Sequence, residues 1–154
     1  MPCHETRIPD CLADWIDRKM PGVGGVRRIK IQCCDVVPLE WLLGRANAVT
    51  LWRSVYLRNR FCPLGPCDRR RVALLVHELV HVEQFRNSPV LFPLKYLFNL
   101  ILHGYWNNPA EIEARVRARN LIESYSLEDP CHCAEVDTIP VTEIIEIVMR
   151  GFSA

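Results

Sequence analysis

The chain has 154 residues, of which 49% are hydrophobic and 24% are charged. This length and apolar fraction predict one domain with a hydrophobic core of its own. The formal net charge is +1, so we expect no nucleic acid as a partner, and the charge does not indicate an acidic membrane either. Residues 1–7 are polar and lack the apolar run of a secretory signal peptide, which predicts a cytoplasmic location.

The chain contains 8 cysteines. In a reducing compartment they are expected as free thiols, or as metal ligands where they cluster. The clusters are Cys33 with Cys34, Cys62 with Cys67, and Cys131 with His132 and Cys133. None has the spacing of a zinc knuckle, so we predict free thiols. A disulfide between Cys62 and Cys67 is the alternative in an oxidised sample.

Two elements are predicted near the N-terminus. Residues 10–19 place Leu12, Trp15 and Ile16 on one side and charged residues on the other, a pattern typical of a helix. Polar and apolar side chains alternate over residues 28–32, which predicts a strand with one solvated face.

A short helix and the clearest strand come next. Residues 38–43 are compatible with a helical turn that Gly44 ends. Residues 48–57 are rich in Thr, Val, Trp and Tyr, which favour a pleated surface, and predict a strand. The loop that follows, residues 58–71, contains Asp68 as an N-cap for the next helix.

That helix is predicted for an apolar run, residues 72–85, which contains the pattern His-Glu-x-x-His. Residues four apart lie above one another on a helix face, so the imidazoles of His77 and His81 can reach one cation. Glu78 lies one step around the helix, where it can hold the water in zinc's open fourth position and take its proton. The alternative is a buried helix whose histidines are satisfied core residues.

The next segment, residues 90–102, is very apolar. It is too short for a transmembrane segment, and Pro93, Lys95 and Asn99 interrupt it. We predict a helix from Pro93 to Gly104 that forms a wall of the core or of a cleft. Docking to a membrane surface and a homodimer contact through residues 90–102 are the alternatives.

A further helix is predicted from Asn108 to about Tyr125, because Asn108 fits an N-cap and Pro109 the first helical position. Two histidines leave a zinc site incomplete, so a third ligand must come from beyond the His-Glu-x-x-His helix. Glu111 is a candidate. It also stands where a capping box places its carboxylate, and it could pair with Arg115 instead.

The region from about Val49 to Arg119 resembles the minimal gluzincin-like metallopeptidase domains of bacteria. In that family a strand precedes the His-Glu-x-x-His helix, and a second helix carries a glutamate ligand. The matching pieces are Val49–Leu57, His77–Gln84 and Tyr105–Arg115. The region from Val49 to Arg119 that contains them covers roughly half of the chain.

The resemblance implies a zinc ion bound by His77, His81 and Glu111. It places the glutamate ligand three residues before a small residue, here Ala114, which lets the two helices pack closely. Glu113 is the alternative third ligand, and a surface pair with an arginine is its structural alternative.

The resemblance also implies an edge strand, residues 48–57, along which an extended peptide could bind. Tyr105 and His103 are candidate donors to the oxyanion formed when a peptide carbonyl is attacked, and Tyr105 is preferred. Many gluzincins have an acidic residue four positions after the ligand, where this chain has Arg115. The histidines are therefore expected to be oriented by Glu83 or by a backbone carbonyl.

Together these observations predict an α+β, zincin-like single domain over residues 1–154, with a small antiparallel or mixed sheet whose edge strand packs on the metal-binding helix. Residues 1–45 would supply an N-terminal helix and strand, residues 46–126 the zinc-site core, and residues 127–154 a C-terminal extension. The predicted function is a zinc-dependent peptidase that acts on a peptide or protein substrate through Glu78. A non-catalytic zinc-binding scaffold or interaction module is the alternative.

Overall fold

The computed structural model describes residues 2–134 and 139–149. Four strands form one sheet in the order β1-β2-β4-β3. They are β1 (His4–Thr6), β2 (Lys30–Cys34), β3 (Ala48–Leu51) and β4 (Ser54–Arg58). Strands β2 and β4 run parallel, whereas β1–β2 and β3–β4 are antiparallel. The sheet is therefore mixed and the fold is α+β, as predicted.

The described residues also form six α-helices. They are α1 (Asp10–Lys19), α2 (Glu40–Leu43), α3 (Arg69–Asn87), α4 (Leu91–His103), α5 (Pro109–Glu128) and α6 (Val141–Met149). The predicted caps are present, since Asp68 accepts hydrogen bonds from the first turn of α3 and Asn108 accepts one from Ala110. Each cap supplies acceptors for backbone N–H groups that have no partner inside the helix.

The strand predicted over residues 48–57 is two strands. A tight turn at Trp52 and Arg53 joins β3 to β4, and Trp52 has a φ of 60°, in the left-handed region. The turn contains none of the Gly, Asn or Pro residues that normally mark a hairpin. The sequence of the segment therefore predicts one continuous strand. The hairpin leaves β3, the strand closest to α3, at the edge of the sheet.

Helix α3 is the centre of the core. Most of its residues from Val72 to Val82 are fully buried, because it lies between the sheet and helices α5 and α6. Helix α5 turns Ala114, Ala118 and Ile122 inward. The two alanines have almost no side chain to separate the helix axes, so α5 lies close to α3.

Helix α6 packs into the core. Ile144, Ile145 and Val148 are buried in the same cluster as the residues of α3. The side-chain amide of Asn47 also donates to the carbonyl oxygen of Val148 at 2.6 Å. These contacts attach residues 141–148 to the segment that precedes β3.

The prediction of free cysteines is wrong, because all eight are paired and none is free. The bridges are Cys3–Cys34, Cys11–Cys131, Cys33–Cys62 and Cys67–Cys133. Neighbouring cysteines bond to different distant partners, so Cys62 does not pair with Cys67. At the end of β2 this follows from the alternation of side chains along a strand, which turns successive residues to opposite faces of the sheet.

Helix α4 begins at Leu91, two residues before the predicted start. None of its residues is buried, although its composition is strongly apolar. No helix in the described part of the chain is both long enough and apolar enough to span a membrane.

Candidate metal site

Helices α3 and α5 bring three predicted ligands together. Oε2 of Glu111 lies 3.1 Å from Nε2 of His77, and Oε1 lies 3.2 Å from Nε2 of His81. The two Nε2 atoms are 3.2 Å apart. Ligand atoms of a tetrahedral zinc site with bonds of about 2.1 Å are separated by about 3.4 Å. The three side chains could therefore hold a metal ion with little rearrangement.

The start of α5 is held in place so that Glu111 reaches this point. Asn108 is fully buried, and its side-chain amide donates to the carbonyl oxygen of Tyr96 at 3.1 Å while its Oδ1 caps the helix. The cap therefore joins α4 to the first turn of α5. Glu111 lies in that turn and faces α3.

The contacts of Glu111 and Glu113 distinguish the candidate third ligand from its alternatives. The Glu111 carboxylate contacts the histidines, whereas Arg115 donates to the carbonyl oxygen of Trp106 and lies over its ring. The side chain of Glu113 is 51% exposed and pairs with Arg117 at 3.4 Å. Glu113 thus forms the surface pair considered as its structural alternative.

Glu78 is buried beside the three candidate ligands. The hydroxyl of Thr50 on β3 lies 2.7 Å from Oε2 of Glu78 and 3.1 Å from its carbonyl oxygen. Burial raises the pKa of Glu78 above its usual value, and the nearby histidines and the Thr50 hydroxyl partly offset the rise. The carboxylate is therefore positioned by the sheet and is a better proton acceptor than an exposed glutamate.

The charges of His81 and Glu111 are coupled. Burial by itself would lower the pKa of His81, but the carboxylates of Glu111 and Glu78 raise it to about 9. Burial likewise disfavours the charged form of Glu111, yet His81 and His77 hold its pKa well below the usual value. A metal ion at this position would displace the His81 proton, so protons and metal compete for the site.

His81 is oriented by a residue that the sequence analysis missed. Its Nδ1 lies 2.8 Å from Oε1 of Gln84, and the amide of Gln84 in turn donates to Glu113 and to the carbonyl oxygen of Ala110. Glu83, the predicted partner, instead pairs with Arg117 at 2.8 Å. Gln84 lies three residues, about one turn, after His81 on the same helix, and this spacing is the sequence signal that could have pointed to it.

His77 is not oriented through its Nδ1 atom as His81 is. Nδ1 of His77 is buried and has no hydrogen-bond partner among the described residues. His77 is held instead by its Nε2 contacts to Glu111 and His81 and by edge-to-face packing of the two imidazoles, whose centroids are 4.9 Å apart.

Two tyrosines contact Glu111. The hydroxyl of Tyr96 on α4 donates to Oε1 at 2.6 Å, and Tyr105 also hydrogen-bonds to this carboxylate. Burial and the Glu111 charge raise the pKa of both phenols, so both remain protonated donors at neutral pH. Of the described residues, Tyr96 lines the cavity at the site and Tyr105 does not.

A cavity of about 220 Å³ opens beside the candidate ligands. Its polar lining comes from Thr50, Glu78, His81, Tyr96 and Glu111. The rest is apolar and comes from three places: the segment around α2 (Leu39, Leu42, Leu43), strand β3 (Ala48, Val49, Leu51) and the aromatic and aliphatic residues of α3 and α4 (Phe85, Phe92, Pro93, Leu97, Leu100). The arrangement suits a ligand whose apolar group lies next to the polar cluster.

Comparisons of the chain with protein-family models, with curated proteins and with solved structures find no match.

Proposed function

We propose that this protein is a zinc-dependent peptidase with a zincin-like fold. The observation that carries the proposal is the position of Glu78, which is buried beside the three candidate ligands and lines the same cavity as His81 and Glu111. A site that only binds metal does not need an additional carboxylate that is not a ligand and that costs free energy to bury. A hydrolase needs one as its general base.

Zinc is the metal that fits this donor set best. Two imidazoles and one carboxylate are typical of catalytic zinc, which keeps a fourth position open. When bound, zinc would supply the Lewis acidity that polarises a peptide carbonyl and lowers the pKa of water. His77, His81 and Glu111 would hold it, with His81 fixed in orientation by Gln84.

Glu78 then moves the proton in the reaction. Its carboxylate accepts a proton from the water that attacks the peptide carbonyl and delivers it to the leaving nitrogen. The Thr50 hydroxyl keeps the carboxylate turned toward the cavity. Tyr96, which donates to Glu111 at the cavity wall, is better placed than Tyr105 to donate to the oxyanion.

The substrate that fits is an extended peptide with an apolar side chain. Strand β3 is at the edge of the sheet and lines the cavity, so a peptide could pair with it while one side chain enters the apolar part of the cavity. The four disulfides support maturation in an oxidising compartment. They argue against the cytoplasmic location predicted from the polar N-terminus, which no observation tests directly.

The metal content of variants tests the site. We expect about one zinc per chain in the wild type and loss of zinc in His77→Ala, His81→Ala and Glu111→Ala, because two ligands hold zinc poorly. Glu113→Ala is the matched comparison and should keep most of its zinc, because Glu113 contacts Gln84 and Arg117 and neither histidine directly. Elemental analysis after gel filtration measures both. If Glu111→Ala keeps the zinc content of the wild type, Glu111 is not a zinc ligand.

Thr50→Val tests the link between the sheet and the general base. A hydrogen bond to the charged form lowers the pKa of Glu78, so its removal should raise that pKa. Because the base acts deprotonated, the acidic limb of kcat/KM should move to higher pH by about one unit, the effect of one charge-assisted hydrogen bond. Thr142→Val, at an exposed position of α6, is the control. If the pH profile of kcat/KM is unchanged and the zinc content is normal, Thr50 does not influence the pKa of Glu78.

A further inference from the structure

Helix α4 presents an apolar face to solvent. The side chains that form this face are Leu91, Leu94, Phe98, Ile101 and Leu102. Phe98 is 62% exposed and Ile101 is 74% exposed. Within the described residues, this face of α4 is left uncovered, although the other side of the helix contacts α3 and α5 through Phe92 and Tyr96.

The apolar surface continues across the mouth of the cavity. The opposite side of α4 lines the cavity through Phe92, Tyr96 and Leu97, and the segment around α2 forms the facing wall. On that wall Trp41 is 84% exposed and Leu42 is also exposed. The two rims of the cleft, α2 and α4, are thus apolar on their outer surfaces as well as on their inner ones.

The charged side chains of the rim segments are mainly basic, and the two nearby carboxylates are paired: Glu40 with Arg58, and Glu113, which shares a surface pocket with Lys95, with Arg117. Lys95 lies at the edge of the exposed face of α4, and Arg45 follows α2; both are exposed. Residues 36–53 and 90–103 contain one carboxylate, Glu40, and it is engaged by Arg58. Surfaces that combine exposed Trp, Phe and Leu with lysine or arginine and lack acids bind to the interface of anionic bilayers.

We propose that α4 and the segment around α2 bind to the surface of a membrane that contains anionic phospholipid. Apolar side chains such as Phe98, Ile101 and Trp41 would enter the headgroup region, and Lys95 would extend to the phosphates. A second copy of the chain fits less well. Face-to-face pairing of two α4 helices would bring lysine toward lysine with no acid on the face to compensate.

The proposal goes beyond the peptidase function and does not require it. If the protein is also a peptidase, the cleft between the two rims opens at the lipid surface. It would then receive apolar segments of membrane-bound proteins or peptides without their passage through water.

Binding to vesicles tests the proposal. The wild-type protein should cosediment with vesicles of phosphatidylcholine and phosphatidylglycerol, and more weakly with phosphatidylcholine alone. Phe98→Ser/Ile101→Ser should lower binding to both on the order of ten-fold, because two insertable side chains are lost. Lys95→Glu should lower binding to the anionic vesicles on the order of ten-fold and leave binding to the neutral vesicles nearly unchanged.

Matched variants on helix α5 serve as controls. Val116→Ser/Leu127→Ser removes two exposed apolar side chains elsewhere, and Arg119→Glu reverses an exposed charge elsewhere. Both should bind as the wild type does. Melting temperature, zinc content and peptide cleavage are measured on the same variants, so failure of membrane binding and failure of the peptidase proposal remain distinguishable.

Three outcomes would overturn the proposal. One is a folded wild-type protein that stays in solution with both kinds of vesicle. Another is a wild-type dimer that Phe98→Ser/Ile101→Ser converts to monomer while neither form binds lipid, which would assign the apolar face to a second copy. Equal binding by the α4 and α5 variants would also remove α4 from the contact.

Discussion

Glu78→Gln is expected to abolish peptide hydrolysis and to leave zinc content and melting temperature nearly unchanged. Glutamine keeps the shape of the side chain and can still accept the hydrogen bond from Thr50, whose hydroxyl lies 2.7 Å from the carboxylate. It cannot accept the proton of an attacking water at neutral pH. Loss of a general base typically lowers kcat by a factor on the order of 10²–10⁴.

The assay can be run before the substrate is known. Zinc-loaded wild type and Glu78→Gln are incubated with mixtures of unstructured proteins and peptides, and the cleavage products are compared by mass spectrometry. Glu123→Gln, the same chemical change at an exposed position of α5, controls for general effects and should cleave as the wild type does. If the zinc-loaded wild type cuts nothing that Glu78→Gln spares while a partner protein binds both, the chain is a metal-binding scaffold.

Removal of the Cys11–Cys131 bridge is expected to lower the free energy of unfolding by about 3 kcal/mol. The two cysteines are separated by 120 residues, and a loop of that size would predict a cost closer to about 5 kcal/mol. The other three bridges already connect Cys11 to Cys131 by a shorter covalent path than the intervening chain. Through segments 3–11, 33–34, 62–67 and 131–133, the four bridges form one closed covalent ring that contains roughly 20 residues of chain.

The same ring predicts that each bridge stabilises the fold by a similar amount. Cys3→Ala/Cys34→Ala opens the same ring, although its cysteines are only 31 residues apart. Chemical denaturation of both double variants without reductant measures the two losses. If Cys11→Ala/Cys131→Ala is less stable than Cys3→Ala/Cys34→Ala by more than about 1 kcal/mol, the ring does not determine the stabilisation. Each bridge would then stabilise the fold according to the length of its own loop.

The helices could be predicted because their signals are local. Asp68 and Asn108 cap α3 and α5, and the spacing of His77 and His81 places both imidazoles on one helix face. Glu111 was predicted by resemblance, and the structure brings it to the histidines. The position depends on how closely α5 approaches α3, which Ala114 indicates but does not determine by itself.

The missed features depend on contacts between distant parts of the chain. Thr50 reaches Glu78 only because the segment around Trp52 turns back as a hairpin. Tyr96 reaches Glu111 only because α4 lies along the cleft. The disulfides were missed for a different reason, since eight cysteines allow on the order of 100 pairings and the polar N-terminus suggested a reducing compartment.

The disulfide connectivity also determines what happens when the backbone is cut. Every peptide bond between Cys3 and Cys133 is spanned by at least one bridge, so a single cleavage there leaves two fragments that stay joined. In the loop between Cys62 and Cys67, the spanning bridge is Cys11–Cys131 alone, and all eight cysteines lie in the described part of the chain. A peptidase that nicks its own copies would thus keep both site helices, α3 and α5, in one covalent molecule.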